Sequence, residues 1–134
     1  MSLVPVEVKK PRPVIMAIPD PHLTDEVRAV IEDVRPIGFI IFNRTEKGNN
    51  CVNADQLEKL ISELSLLAPT TPPLIFIDQE GGRVARIRWD VTLPPASDFG
   101  KAYDKNPDEA LEWARLGGFI VAIQLARYGI TANC

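Results

Sequence analysis

Three short stretches of the chain are apolar almost without a break: residues 14–18 (VIMAI), 37–42 (IGFIIF) and 74–77 (LIFI). Runs of that length without alternation, set between prolines or polar turns, predict strands buried on both faces, as in a parallel sheet. Between them the pattern takes on the period of a helix. Thr24 offers an N-cap, Asp25 and Glu26 put negative charge in the first turn, and Val27, Val30, Ile31 and Val34 share one face before Pro36 stops the segment. Asn53 followed three residues later by Gln56 has the spacing of a capping box, and Leu57, Leu60, Ile61, Leu64 and Leu67 mark a second helical face ending near Ala68. After a long connection over 83–100, Asn106, Pro107, Asp108 and Glu109 open a third helix. Its inward face is predicted to carry Leu111, Ala114, Val121, Leu125 and Tyr128, and Gly129 is its stop. Residues 130–134 (ITANC) read as a fourth strand interrupted in progress.

The order β-α-β-α-β-α-β with apolar strands gives the α/β class, a parallel sheet with right-handed crossovers. Two architectures share that order. An open doubly wound sheet can be complete in four or five strands, whereas a (β/α)₈ barrel takes roughly 250 residues. The 134 residues here are closer to the first in length. However, the first strand-to-helix turn, 19–23, has no glycine-rich phosphate loop, and no G-x-G-x-x-G or Walker pattern occurs elsewhere, so nucleotide binding loses its main support.

Composition narrows the classes further. Apolar residues make up 46% and charged residues 25%, the mix of an ordinary globular domain, and 15 Lys and Arg against 18 Asp and Glu give a net charge of −3. No basic surface for nucleic acid or an anionic membrane is expected. Cys51 and Cys134 do not form a disulfide framework. Residues 1–13 read as an extended segment with Lys9, Lys10 and Arg12 but no apolar signal core, and the expected location is the cytoplasm. One histidine, His22, and no close cysteine pair leave zinc without a ligand set, so no metal is expected.

The most informative segment is Asp78-Gln79-Glu80-Gly81-Gly82-Arg83-Val84-Ala85-Arg86, which follows the third strand directly. The carboxyl ends of parallel strands are where α/β proteins bind ligands. Asp78 can accept two hydroxyl hydrogen bonds, Arg83 or Arg86 can donate a planar fork, and Gly81-Gly82 allows a sharp turn or close approach, a set suited to a sugar. The same residues also fit a charged turn in which Asp78 pairs with a neighbouring arginine and the glycines serve geometry alone.

The run PLIFIDQEGGRVARI, with IGFIIFNR before it and LPPASDFG and GITANC after it, resembles the N-terminal barrel domain of glycoside hydrolase family 3, in its bacterial β-N-acetylhexosaminidase branch. The resemblance spans residues 14–134 in the right order and implies the N-terminal half of a TIM (β/α)₈ barrel, truncated at the fourth strand, with residues 1–134 forming a partial domain. It assigns Asp78 and Arg86 to substrate binding and makes Glu80, Gly81, Gly82 and Arg83 supporting members of the motif. Asn43 and Arg44 match a family segment whose usual following asparagine is Thr45 here, and the expected role of that pair is structural.

The implied reaction is retaining hydrolysis of terminal β-linked N-acetylglucosamine, as in recycling of cell-wall amino sugars, by a carboxylate nucleophile and a separate histidine acid/base. Both catalytic positions, and the family's lysine-histidine substrate pair, fall beyond Cys134. No catalytic residue and no cofactor is therefore expected within the chain. His22, Asp20, Asp98 and Asp104 are read as turn and cap residues. The alternatives are a β-glucosidase-type specificity and a non-catalytic remnant or sugar-binding fragment. The expected partners are a β-N-acetylglucosaminide and, through open barrel edges, a further copy of the chain.

Overall fold

The structure is a computed structural model that describes residues 10–43 and 49–134. Strands β1 (Arg12–Ala17), β2 (Pro36–Ile41), β3 (Leu74–Ile77) and β4 (Ala132–Asn133) alternate with helices α1 (Asp25–Val34), α2 (Ala54–Leu67), α3 (Ala96–Tyr103) and α4 (Pro107–Arg127). The caps act where the sequence places them. Thr24 Oγ1 accepts from Val27 N at 3.3 Å, and Asn53 Oδ1 accepts from Gln56 N at 2.9 Å. Gln56 reaches back one residue further than a capping box requires, accepting from Val52 N at 2.9 Å. At the end of α1, Arg35 takes a left-handed φ of 54° and lets the chain turn directly into β2.

The strands lie in the order β1-β2-β3-β4, and every neighbouring pair is parallel. Spatial order therefore equals chain order. With crossovers of a single hand, such a sheet carries all its helices on one face, whereas a doubly wound sheet reverses direction and is covered on both. The buried core has that one-sided form: Ile18, Phe39, Ile41, Ile75 and Ile77 meet Ile31 of α1, Leu57, Leu60, Ile61 and Leu64 of α2, and Leu125 of α4. Fully burying each large aliphatic side chain contributes about 1.5–3 kcal/mol, so this layer dominates stability.

The alternate side chains, Ile15, Ile40, Leu74 and Phe76, are absent from that core. Ile15 is 38% exposed and Leu74 is 41% exposed. The expectation that the first strand is buried on both faces is corrected here: β1 is exposed at all positions except the half-buried Met16. Among the described residues no layer covers this apolar face, as on the inner wall of a barrel segment, and the fold is the α/β, partial TIM-barrel arrangement.

Three further differences from the sequence pattern have physical causes. β4 is two residues long, because Ile130 turns into the core and Thr131 bonds Ile75 before pairing begins. A helix, α3, occupies part of the connection read as irregular. The inward face of α4 carries Ala110, Gly117, Gln124 and Leu125, while Leu111 is 58% exposed and Ala114 is also exposed. Packing against α3 selects that face: a side chain at Gly117 would lie 3.1 Å from Leu93 and 3.4 Å from the Phe99 ring, so the absence of one lets the segments approach.

Candidate functional site

β3 delivers its carboxyl end into the Asp78–Arg86 segment, and alternation decides what each side chain there can reach. Asp78 continues the bare-face series of Leu74 and Phe76, while Gln79 continues the core series of Ile75 and Ile77. The chain then turns at once. Val84 N donates to Gly81 O at 3.2 Å, and Gly82, the first central residue, has φ 55°, the positive value that a type II′ turn requires there. Gly81 has φ 92°, and a Cβ on it would sit 2.5 Å from the carbonyl oxygen of Pro94. Both glycines are thus required by the backbone, and Gly82 N is tied to Leu93 O at 2.7 Å.

The turn returns the chain alongside β3 and brings Arg86 to Asp78. Arg86 Nη2 donates to Asp78 Oδ2 at 2.5 Å, and each side chain is 21% exposed. Among the described residues neither Asp78 Oδ1 nor Arg86 Nη1 makes a hydrogen bond, so the pair keeps one acceptor and one donor for a ligand. The guanidinium carbon lies 5.7 Å from the centre of the Phe42 ring at the end of β2, and Asn43 Nδ2 donates to Arg86 O at 3.3 Å. The pair therefore sits at the carboxyl ends of β2 and β3, the barrel edge that binds ligands.

The structure brings Asp78 and Arg86 together, and it separates the other motif charges. Glu80 and Arg83 are exposed, and neither forms an ion pair among the described residues. Arg83 contributes its carbonyl, which accepts from Arg88 Nη2 at 2.7 Å. Arg44 and Thr45 lie outside the described residues. His22 and Asp20 are exposed in the turn between β1 and α1, Asp98 pairs with Lys101 at 2.9 Å on the surface, and Asp104 caps α3. No group of three His, Cys, Asp or Glu among the described residues is placed to hold a metal ion. No helix described is long and apolar enough to cross a membrane.

Sequence reasoning missed the amide side chains that fasten this edge. Asn50 is fully buried, accepts from Phe42 N at 2.6 Å and donates to Ile18 O, lacing the ends of β1 and β2. Asn133 does the same for β3 and β4: Gln79 N donates to its Oδ1 at 2.7 Å and its Nδ2 donates to Gln79 O at 3.0 Å. Gln79, 3% exposed, accepts from Arg86 N at 2.8 Å and Ile87 N at 3.1 Å through one oxygen. Gln79 lies just beyond the end of β3, Asn133 lies within β4 and Asn50 lies in the connection beyond β2, so no common sequence signal marks such lacing. A cavity of about 440 Å³ between β4 and α4, lined by Gln79, Val121, Leu125 and Asn133 among others, lies away from this pair, and neither Asp78 nor Arg86 lines it.

No family model matches the chain. Full-length relatives do. A protein named Beta-hexosaminidase from Thioalkalivibrio sulfidiphilus is 35% identical over 119 residues, 88% of this chain and 33% of its own length. Another of that name from Chromobacterium violaceum is 37% identical over 119 residues, 88% of this chain and 32% of its own. Among solved structures, NagZ from Neisseria gonorrhoeae in complex with N-trifluoroacetyl-D-glucosamine superposes with a TM-score of 0.78 at 33% identity, covering 90% of this chain and 35% of that one. The chain carries an N-terminal, NagZ-like portion of the glycoside hydrolase family 3 domain. It spans about a third of the length of the relatives it matches. The one-sided sheet agrees with that placement, since the face left bare is the one a complete barrel would enclose.

Proposed function

We propose that the chain supplies part of the sugar-binding pocket of a glycosidase that releases terminal β-linked N-acetylglucosamine with retention of configuration. The observation that carries this reading is the Asp78–Arg86 pair, held at the carboxyl edge of β3 with one carboxylate oxygen and one guanidinium nitrogen uncommitted among the described residues. Hydroxyls of a pyranose can each donate and accept, and a fixed carboxylate–guanidinium pair recognises them without ordering either side chain anew. The names of the relatives and the N-trifluoroacetyl-D-glucosamine in the related structure support an amino sugar as the ligand class.

Bond cleavage is assigned to groups outside this chain. Retaining hydrolysis needs a nucleophile and an acid/base about 5–5.5 Å apart across the scissile bond. Asp78 is engaged by Arg86, and Asp20 and His22 lie exposed in another turn. The 134-residue chain alone is therefore expected to bind sugar weakly and hydrolyse nothing, in keeping with recycling of cell-wall amino sugars by a longer polypeptide.

The test is calorimetric or NMR titration of the chain with N-acetylglucosamine and with glucose. The expected result is binding of the amino sugar at roughly millimolar strength, about −4 kcal/mol, abolished in Asp78→Ala. Equal binding of both sugars would move the specificity to the β-glucosidase type. Binding unchanged in Asp78→Ala would remove the pair from the site.

A further inference from the structure

The geometry points to Gln79 as a positioning residue that, braced by Asn133, sets Arg86 against Asp78; the inference rests on the reading of that pair as the sugar contact. Arg86 lies on a segment with no regular secondary structure, and a long flexible side chain on such a segment needs its backbone fixed before its guanidinium can be placed. Gln79 fixes it. Its Oε1 accepts from Arg86 N at 2.8 Å and from Ile87 N at 3.1 Å, and its Nε2 donates to Ile87 O at 3.0 Å. The side chain thereby takes the place that a neighbouring strand would have, satisfying three backbone groups of the returning segment.

Gln79 is itself held at both ends. Asn133 grips its backbone N–H and C=O from β4, and its amide lies 3.5 Å from Gln124 Oε1 on α4, whose own Nε2 donates to Val91 O at 3.0 Å. Asp78 and Gln79 follow β3 directly and carry on its alternation, Asp78 half-buried and Gln79 buried, which sets them on opposite sides of the sheet. One residue presents its charge on the bare face while the next, from the core side, anchors the residue that pairs with it. The position of Arg86 is thus referred to β3, β4 and α4 together rather than to its own loop. Arg86 Nε is buried with no hydrogen-bond partner among the described residues, so the guanidinium is kept in place by its backbone, Asp78 and the Phe42 ring.

The experiment compares the 134-residue chain with Gln79→Met, which keeps the side chain's length and removes its hydrogen bonds while leaving the backbone bonds to Asn133. Two readouts are used: the Arg86 Nε–H resonance, assigned by its loss in Arg86→Lys, and amide shifts induced by N-acetylglucosamine. In the parent chain that resonance is expected apart from those of exposed arginines, with slow solvent exchange. In Gln79→Met it is expected to collapse into the exposed group while the amide signals of α2 stay in place, and sugar affinity is expected to fall at least tenfold. In an Arg86→Lys background, Gln79→Met is expected to cause no further loss, which a general loosening of the fold would not reproduce.

A folded Gln79→Met with parental Arg86 signal and affinity would overturn the assignment, as would an equal loss in the Arg86→Lys background. If the parent chain shows no sugar-induced shifts, the sugar reading fails, and the Arg86 resonance alone decides: released in Gln79→Met it upholds the positioning role, unchanged it overturns it. Should Gln79→Met fail to fold, Asn133→Ala, at an exposed site, gives the same pair of outcomes.

Discussion

Cys51 lies behind the candidate pair with 1% of its surface exposed, and burial pushes its thiol from an ordinary value near 9.0 up to about 12, against a smaller opposing pull from Arg86. At pH 8 its thiolate fraction is on the order of one in ten thousand, so alkylation in the folded chain is expected at the exposed Cys134 and not at Cys51 until denaturant is added. The same shift fixes a sign for stability. Between pH 9 and 12 the folded state keeps a proton that the unfolded state has lost, so stability falls as pH rises, by up to about 1.4 kcal/mol per unit from this one group. Urea unfolding at two alkaline pH values checks this, and a Cys51→Ala variant with the parental slope would refute it. At this scale the sequence disclosed charges better than amides. Asp78 and Arg86 stand out in the sequence as charges flanking paired glycines, a pattern that fits a ligand site and a braced turn alike. Gln79, Asn50 and Asn133 look like ordinary loop polarity, since the partner of Asn133 lies 54 positions away in the chain.

Among the elements, the tight turn after β3 gives the sharpest prediction. Gly81→Ala places a methyl group 2.5 Å from the Pro94 carbonyl at φ 92°, and a destabilisation of about 2–4 kcal/mol is expected by thermal or urea melting. A variant within 0.5 kcal/mol of the parent would show that the 93–95 segment yields, on the scale of ordinary surface substitutions. Starts and stops of α1 and α2 were readable because Thr24 and Asn53 supply the capping oxygens that the helix ends lack. α3 escaped notice because Pro95 precedes it without a side-chain cap and none of its residues is buried, leaving no stripe to find. The C-terminal part of the α4 face was legible, with Val121, Leu125 and Tyr128 packed on the core, whereas Leu111 and Ala114 were misplaced because the helix is apolar over much of its circumference: Leu116 and Phe119 are exposed while Ala110 and Gly117 are buried. Hydrophobicity cannot choose a side there, and the approach of α3 does.

At the scale of the whole sheet, the governing fact is that, among the described residues, one apolar face has no layer over it and the strands at β1 and β4 have open edges. Produced alone, the 134-residue chain is expected to associate with its own kind, and two copies related by a rotation about the barrel axis would set each β1 beside the other's β4 and bring the parallel strands to eight. Sedimentation velocity over a hundredfold concentration range is expected to show a dimer or larger species, and a monomer throughout would refute it. The βα order could be read from the hydrophobic pattern, whereas the choice of a barrel over an open sheet came only from the family resemblance carried by the 73–87 motif, since periodicity does not say on which side each strand is added. That same order bears on how the fold is reached. Each new strand lies beside the one made just before it, so a chain leaving the ribosome finds every pairing partner already synthesised and can build its sheet from the first strand onward, never holding one open for a segment still to come.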